Sequence, residues 1–167
     1  MVQIRESLGF CPQYDILFDH MTVADHLYFY AQLKGLTLKE CHKEIDQTLK
    51  FFSLEEKRNH FSKSLTASVK RKLSIGIALL GDSKVIILDE LTSRMDPITR
   101  HTTWDLPQQY KRGHTIVLTT HNMKEADVLG DCIAIMANGE LQCCGSSFFL
   151  KQKYGLSSFF FLFDWDP

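Results

Sequence analysis

The sequence predicts an α/β fold, a mostly parallel sheet accompanied by an α-helical subdomain. Residues 19 to 82 place apolar side chains at helical spacing. Residues 83 to 144 instead carry short continuous apolar runs separated by helical stretches, the strand–helix–strand pattern of a parallel sheet. The chain has 167 residues, 44% hydrophobic and 23% charged, which is enough apolar material for one packed core.

In chain order, Ser7 to Cys11 is a short apolar piece that stops at Pro12. Thr22 stands where a helix cap is needed, and Asp25 three residues on completes a variant of the capping box. Behind it, Val23, Leu27, Tyr30 and Ala31 share one face. A second helix is expected from about Lys39 to Phe52, with Ile45, Leu49 and Phe52 on one side. Charged residues between Glu55 and Lys63 mark a connecting loop. A third helix follows a cap at Ser68, with Val69, Leu73, Gly76, Ile77 and Leu80 at helical intervals. Lys70, Arg71 and Lys72 form a basic run that reads as the solvated face of that helix.

Val85 to Leu88, Ile116 to Leu118 and Ile133 to Met136 then read as parallel strands, apolar without interruption as strands buried on both faces are. Asp96 and Pro97 open a helix, an N-cap followed by proline at the first helical position. That helix is expected to reach Tyr110, but Pro107 inside it predicts a kink or an early end near Leu106. A short helix spans Met123 to Leu129. Asn138 and Gly139 signal a type I′ hairpin, and Glu140 to Cys144 returns as an edge strand.

Net charge is -1, so the chain shows no electrostatic footprint for a nucleic-acid partner. Cys11, Cys41, Cys132, Cys143 and Cys144 form no metal-ligand spacing, and their odd number points to free thiols in a reducing compartment. The first residues show no signal-peptide core, and no stretch approaches the roughly 20 apolar residues of a membrane span. If the protein serves a membrane, the spanning part is elsewhere.

Chemistry concentrates at the end of the Val85 strand. In an open parallel sheet, ligands bind beyond the carboxyl ends of the strands. An apolar strand ending in Asp89 and Glu90 delivers two acids there, which either begin a solvated loop or divide the work, one orienting Mg²⁺ and the other polarising an attacking water. The next strand leads to His121, whose imidazole could contact a γ-phosphate at the same edge.

Five segments in one order carry a resemblance. Residues 8 to 19 look like the Q-loop of an ATP-binding cassette, and residues 70 to 90 like the end of its signature helix running into Walker B. Residues 91 to 97 resemble its D-loop and residues 118 to 127 its switch-histidine segment. Residues 130 to 155 are similar to the tail of cassettes in the lipid-exporting A subfamily of ABC transporters, close to its surfactant-lipid branch. The resemblance covers about residues 4 to 155 and implies a P-loop NTPase fold, ATP and Mg²⁺ as cofactors, and a place on the cytosolic face of a membrane. It also implies transmembrane domains and a second cassette as partners, with lipid reached only through domains outside this chain. Gln13 would touch Mg²⁺ and the transmembrane domains. Asp89 would be the metal-orienting acid, Glu90 the catalytic base, Asp96 the D-loop acid and His121 the switch histidine. Thr66 and Ser68 fall in the signature motif that meets nucleotide.

Departures from the family share a direction. The P-loop pattern GxxxxGK[ST] is absent, because no glycine here is followed by lysine. It is expected upstream of Met1, together with the first strand of the sheet and the aromatic residue that stacks on adenine. Loss of that strand is expected to leave the flanks of the Val85 strand unpaired. The signature reads Leu65, Thr66, Ala67, Ser68, Val69, without either glycine that lets a helix N-terminus approach phosphate. Leu91 stands where the family has proline and Arg94 where it has glycine. Past Gly155 the resemblance stops, and residues 156 to 167 are a divergent tail containing an aggregation-prone aromatic run. The chain is therefore expected to be one partial cassette over residues 1 to 155, a truncated or decayed copy unable to hydrolyse ATP alone. A non-catalytic fragment that interacts with an intact transporter is the alternative.

Overall fold

The computed structural model describes residues 7–93, 95–110 and 113–154. Within this range the chain forms two compact units, one ending at Thr119 and the other beginning at Thr120. That boundary falls inside the 83 to 144 region.

The first unit is built on a parallel sheet of three strands, ordered β1 (Leu8–Cys11), β2 (Val85–Asp89) and β3 (Thr115–Thr119). Leu8 pairs with Val85 and Cys11 with Leu88, while Val85 pairs with Thr115 and Asp89 with Thr119. The short apolar piece after Ser7 is thus a full member of the sheet. β2 is its centre, paired on both sides, which corrects the expectation of unpaired flanks there. Burial is also one-sided where two-sided burial was expected: along β2, Ile86 and Leu88 are buried while Val85 is exposed. On β3, Val117 is exposed.

The helices follow their capping chemistry. α1 (Val23–Leu33) opens with a complete capping box: the Asp25 N–H donates to Thr22 Oγ1 at 3.1 Å, and the Thr22 N–H donates to Asp25 Oδ2 at 3.0 Å. These bonds hold the Asp25 carboxyl below its usual range. α2 (Leu38–Phe51) carries a second box, Thr37 with Glu40, one residue earlier than the periodicity placed its start. The charged connector after it contains two short 3₁₀ turns, Glu55–Lys57 and Ser62–Ser64.

α3 (Ala67–Leu79) packs on β1, β2 and α1, and its buried face includes Leu73, Ile75, Ala78 and Leu79. Sheet and helix approach closely at Gly9, where a Cβ would stand 2.0 Å from the Ala78 carbonyl oxygen, so only glycine fits. α4 (Pro97–Tyr110) continues past Pro107 to Tyr110, correcting the early end expected near Leu106. Pro107 lies in the last turn, so its missing N–H interrupts the ladder close to where the ladder stops anyway.

The second unit begins with α5 (Met123–Leu129), capped by Asn122 Oδ1, which accepts the Lys124 N–H at 3.0 Å. β4 (Ile133–Ala137) and β5 (Glu140–Gly145) follow as an antiparallel hairpin, with Ala137 opposite Glu140. Asn138 and Gly139 both take positive φ, 52° and 80°, as the type I′ turn requires. β4 therefore forms a sheet with β5 and is not a third parallel strand. Its turn pairs it locally before any crossover can. α6 (Ser147–Tyr154) completes a small core of Ile133, Cys143 and Leu150, with Met123, Ala126, Ile135 and Tyr154 against it. No helix of the described residues is long and apolar enough to cross a membrane.

Candidate functional site

The carboxyl end of β2 carries the acid pair. Thr119, opposite Asp89 in the ladder, donates its hydroxyl to Asp89 Oδ1. Glu90 then leaves the strand with φ 52°, in the left-handed region that favours glycine. Its N–H donates to the Thr119 carbonyl at 3.0 Å and sits 3.2 Å from Thr119 Oγ1. Thr119 thus fixes both acids, one through its side chain and one through its backbone.

Beneath this turn lies the side chain that sequence reasoning placed in solvent. Arg71 is fully buried, not part of a solvated basic face. A run of three basic residues looks like one solvated block, whereas the helical period separates them. Arg71 faces the sheet end, and Lys70 and Lys72 are only partly buried.

The Arg71 guanidinium meets two loops at once. Nη2 donates to the carbonyls of Asp89 at 2.6 Å and Glu90 at 2.9 Å, and Nε donates to Leu91 at 2.9 Å. Nη1 donates to the Pro12 carbonyl at 2.5 Å, with the Gln13 carbonyl at 3.5 Å and Asp15 Oδ1 at 3.3 Å. The planar fork of donors suits this convergence, which a point charge on a lysine could not reproduce. Asp15 is itself nearly buried and supplies the neutralising charge. Nearby, burial pushes the Cys11 thiol up to about 11 despite the pull of Arg71.

Arg71 therefore brings the Gln13 backbone and the Asp89–Glu90 turn to one place. The Gln13 side chain is exposed beside Tyr14 and Ile16, each 63% exposed. Leu91 is fully buried, so the residue at that position fills core space. Arg94 lies outside the described residues. Asp96 caps α4, its Oδ1 accepting the Thr99 N–H at 3.0 Å. Thr66, not Ser68, is the N-cap of α3, and its side chain makes no capping bond. Its Oγ1 lies 3.3 Å from Ser68 Oγ, so the two hydroxyls pair with each other. Ser68 belongs to the first helical turn because the helix already begins at Ala67. His121 is exposed and belongs to the second unit, just ahead of the Asn122 cap.

A family model described as ABC transporter matches residues 1–93, which contain β1, α3 and the acid pair. The chain belongs to the ABC transporter family. Within it, 64% identity over 155 residues relates the chain to the mouse phospholipid-transporting ATPase ABCA3, and 66% to the human one. Rat ATP-binding cassette sub-family A member 17 is 61% identical over the same length. These similarities place the chain as a fragment of an A-subfamily cassette. They cover 93% of this chain but only 9% of each relative, so the chain spans about a tenth of the proteins it matches. A solved ATP-binding subunit of an ABC transporter superposes with TM-score 0.80 at 26% identity, over 93% of this chain and 65% of that one. An ATP-binding cassette in a dimeric post-hydrolysis state, bound to ADP and Pi, shares the fold at TM-score 0.76 and 23% identity.

The residues present fit a nucleotide and its metal only in part. Asp89 and Glu90 supply acids at the correct strand end. Among the described residues no group of three or more His, Cys, Asp or Glu side chains converges on a metal position. The sequence contains no glycine followed by lysine to cradle phosphate.

Proposed function

We propose that this chain carries the acid-bearing part of an A-subfamily cassette and does not turn over ATP by itself. The observation that carries this reading is the combination of an intact, braced Asp89–Glu90 turn with a sequence that lacks any phosphate cradle. Positioned donors and a lysine neutralise most of the charge in phosphoryl transfer, and acids alone do not replace them. In an assembly that supplied a cradle, Asp89 would orient Mg²⁺, with Gln13 contributing. Glu90 would polarise water, and His121 would act as the switch histidine. Asp96, Thr66 and Ser68 would face a partner cassette, and the whole would sit at the cytosolic side of a lipid-moving transporter.

Phosphate release from the purified chain, with Glu90→Gln alongside, tests the proposal. Background rates in both are expected. Steady turnover that Glu90→Gln abolishes refutes it.

A second reading is favoured by one feature. Tyr14, Ile16, Phe18, Phe29 and Leu33 are all substantially exposed around the Gln13 loop and α1, and Phe18 and Phe29 meet edge to face at 6.0 Å. Such a patch fits docking onto transmembrane domains without catalysis. Co-purification with an A-subfamily transporter, lost on Phe18→Ser with Ile16→Ser, would support it. Equal recovery of the double variant would count against it.

A further inference from the structure

We propose that Cys132 and Cys144 form a reversible dithiol–disulfide pair, a redox-modification site in the second unit that is independent of nucleotide chemistry. Their Sγ atoms lie 3.4 Å apart, and both residues are exposed. A disulfide needs about 2.0 Å, so closure asks for little movement. The hairpin register explains the approach. Ala134 faces Cys144 and Ile133 faces Gly145, so Cys132 lies one step beyond β4 on the same face as Cys144, its diagonal neighbour. Cys132 sits in a bend outside the strand, where the backbone can yield without breaking the ladder. Cys143, adjacent in sequence, points the other way into the small core and is buried. The alternation of a strand thus sorts the Cys143–Cys144 doublet into one packing thiol and one available thiol.

The chemistry is thiol–disulfide exchange with an oxidised low-molecular-weight disulfide. One cysteine thiolate attacks a sulfur of the oxidant, forming a mixed disulfide and releasing one small thiol. The second cysteine thiolate then attacks the protein sulfur of that mixed disulfide and releases the other small thiol. Two protein thiols are oxidised by two electrons, and one disulfide is reduced to two thiols. The hydrogen bond to Cys132 holds the Cys144 thiol above its ordinary value, so Cys144 ionises late and bridging should quicken as pH rises. Once closed, the bridge ties the bend before β4 to the end of β5, fastening the open end of the hairpin.

The test equilibrates the full chain with mixtures of reduced and oxidised glutathione, quenches in acid, and maps the products by peptide mass. A Cys132–Cys144 bridge is expected to exceed glutathione-capped chain by about tenfold or more, because the folded hairpin holds the second thiol at high effective concentration. The excess should collapse in concentrated guanidinium. Cys132→Ser and Cys144→Ser should each convert the product to a glutathione cap on the remaining thiol, while Cys143→Ser should leave the bridge intact. Predominant capping of the unmodified chain, a bridge through Cys143, or a bridge yield unchanged by denaturant would each overturn the proposal.

Discussion

The first turn of α3 and the rest of that helix have met opposite fates. At its start, the Thr66 and Ser68 hydroxyls pair with each other at 3.3 Å, and among the described residues no side chain caps the helix. One turn later Arg71 is buried among the carbonyls of two loops. At the far end, Lys34 Nζ donates to the Leu80 carbonyl at 2.7 Å and to Ser83 Oγ, closing the helix on α1. The positions that the proposed function assigns to nucleotide carry Thr66, Ala67 and Ser68, with no glycine among them. The positions that hold the sheet end together are saturated with partners. Bracing and chemistry are separable here, even though only three to five positions divide them.

Replacing Arg71 tests this contrast most severely. Arg71→Met should cost about 3–5 kcal/mol in urea unfolding, since it strands a buried Asp15 carboxylate and several carbonyls. Arg71→Lys should recover less than half of that loss, because an ammonium cannot serve both loops. An Arg71→Met chain as stable as the parent would show the bracing to be ornamental. Next comes the helix body. Gly9→Ala drives a Cβ into the Ala78 carbonyl and should cost about 1–3 kcal/mol, read as a lower thermal midpoint.

A pH series probes the far end of α3. Burial lowers Lys34 from 10.5 to about 8, so between those values the unfolded chain binds a proton that the folded chain has shed. Stability should therefore rise with pH from 8 upward. Cys11, raised from 9.0 to about 11, keeps its proton longer when folded and opposes that rise above pH 9. Between pH 8 and 9 the lysine is opposed least by the raised thiols, and Lys34→Met should remove the rise there. The smallest effect belongs to the first turn. Restoring glycine with Ala67→Gly and Ser68→Gly should change stability by about 0.5 kcal/mol at each position. It should confer no ATP binding in equilibrium dialysis, and retained nucleotide would erase the division drawn above.

Much of this architecture was legible in residue order. Capping residues Thr22 and Asp96, the apolar strand ending in Asp89, and the Asn138–Gly139 turn each act through neighbours within a few positions, so local rules reach them. What escaped depends on distant partners. β1 is too short to announce itself and becomes a strand by pairing with residues more than seventy positions away. The register that sets Thr119 beside Asp89 is a property of the sheet, so its role as a brace was invisible. The burial of Arg71 is not legible in residue order, because a guanidinium can be buried only where many acceptors converge, and that convergence arises only after folding. The Ile133 run was assigned to the wrong sheet because apolar content alone does not say which edge a strand will choose.

One consequence follows from the left-handed backbone at Glu90. Glycine or asparagine would adopt that conformation more cheaply than glutamate, by about 1 kcal/mol or more for glycine. The acid is thus a tenant whose departure would ease its own lodging. Were natural copies of this chain released from any demand on the acid, drift should empty position 90 early. A survey of that single codon across individuals would then report whether selection still keeps the glutamate in place.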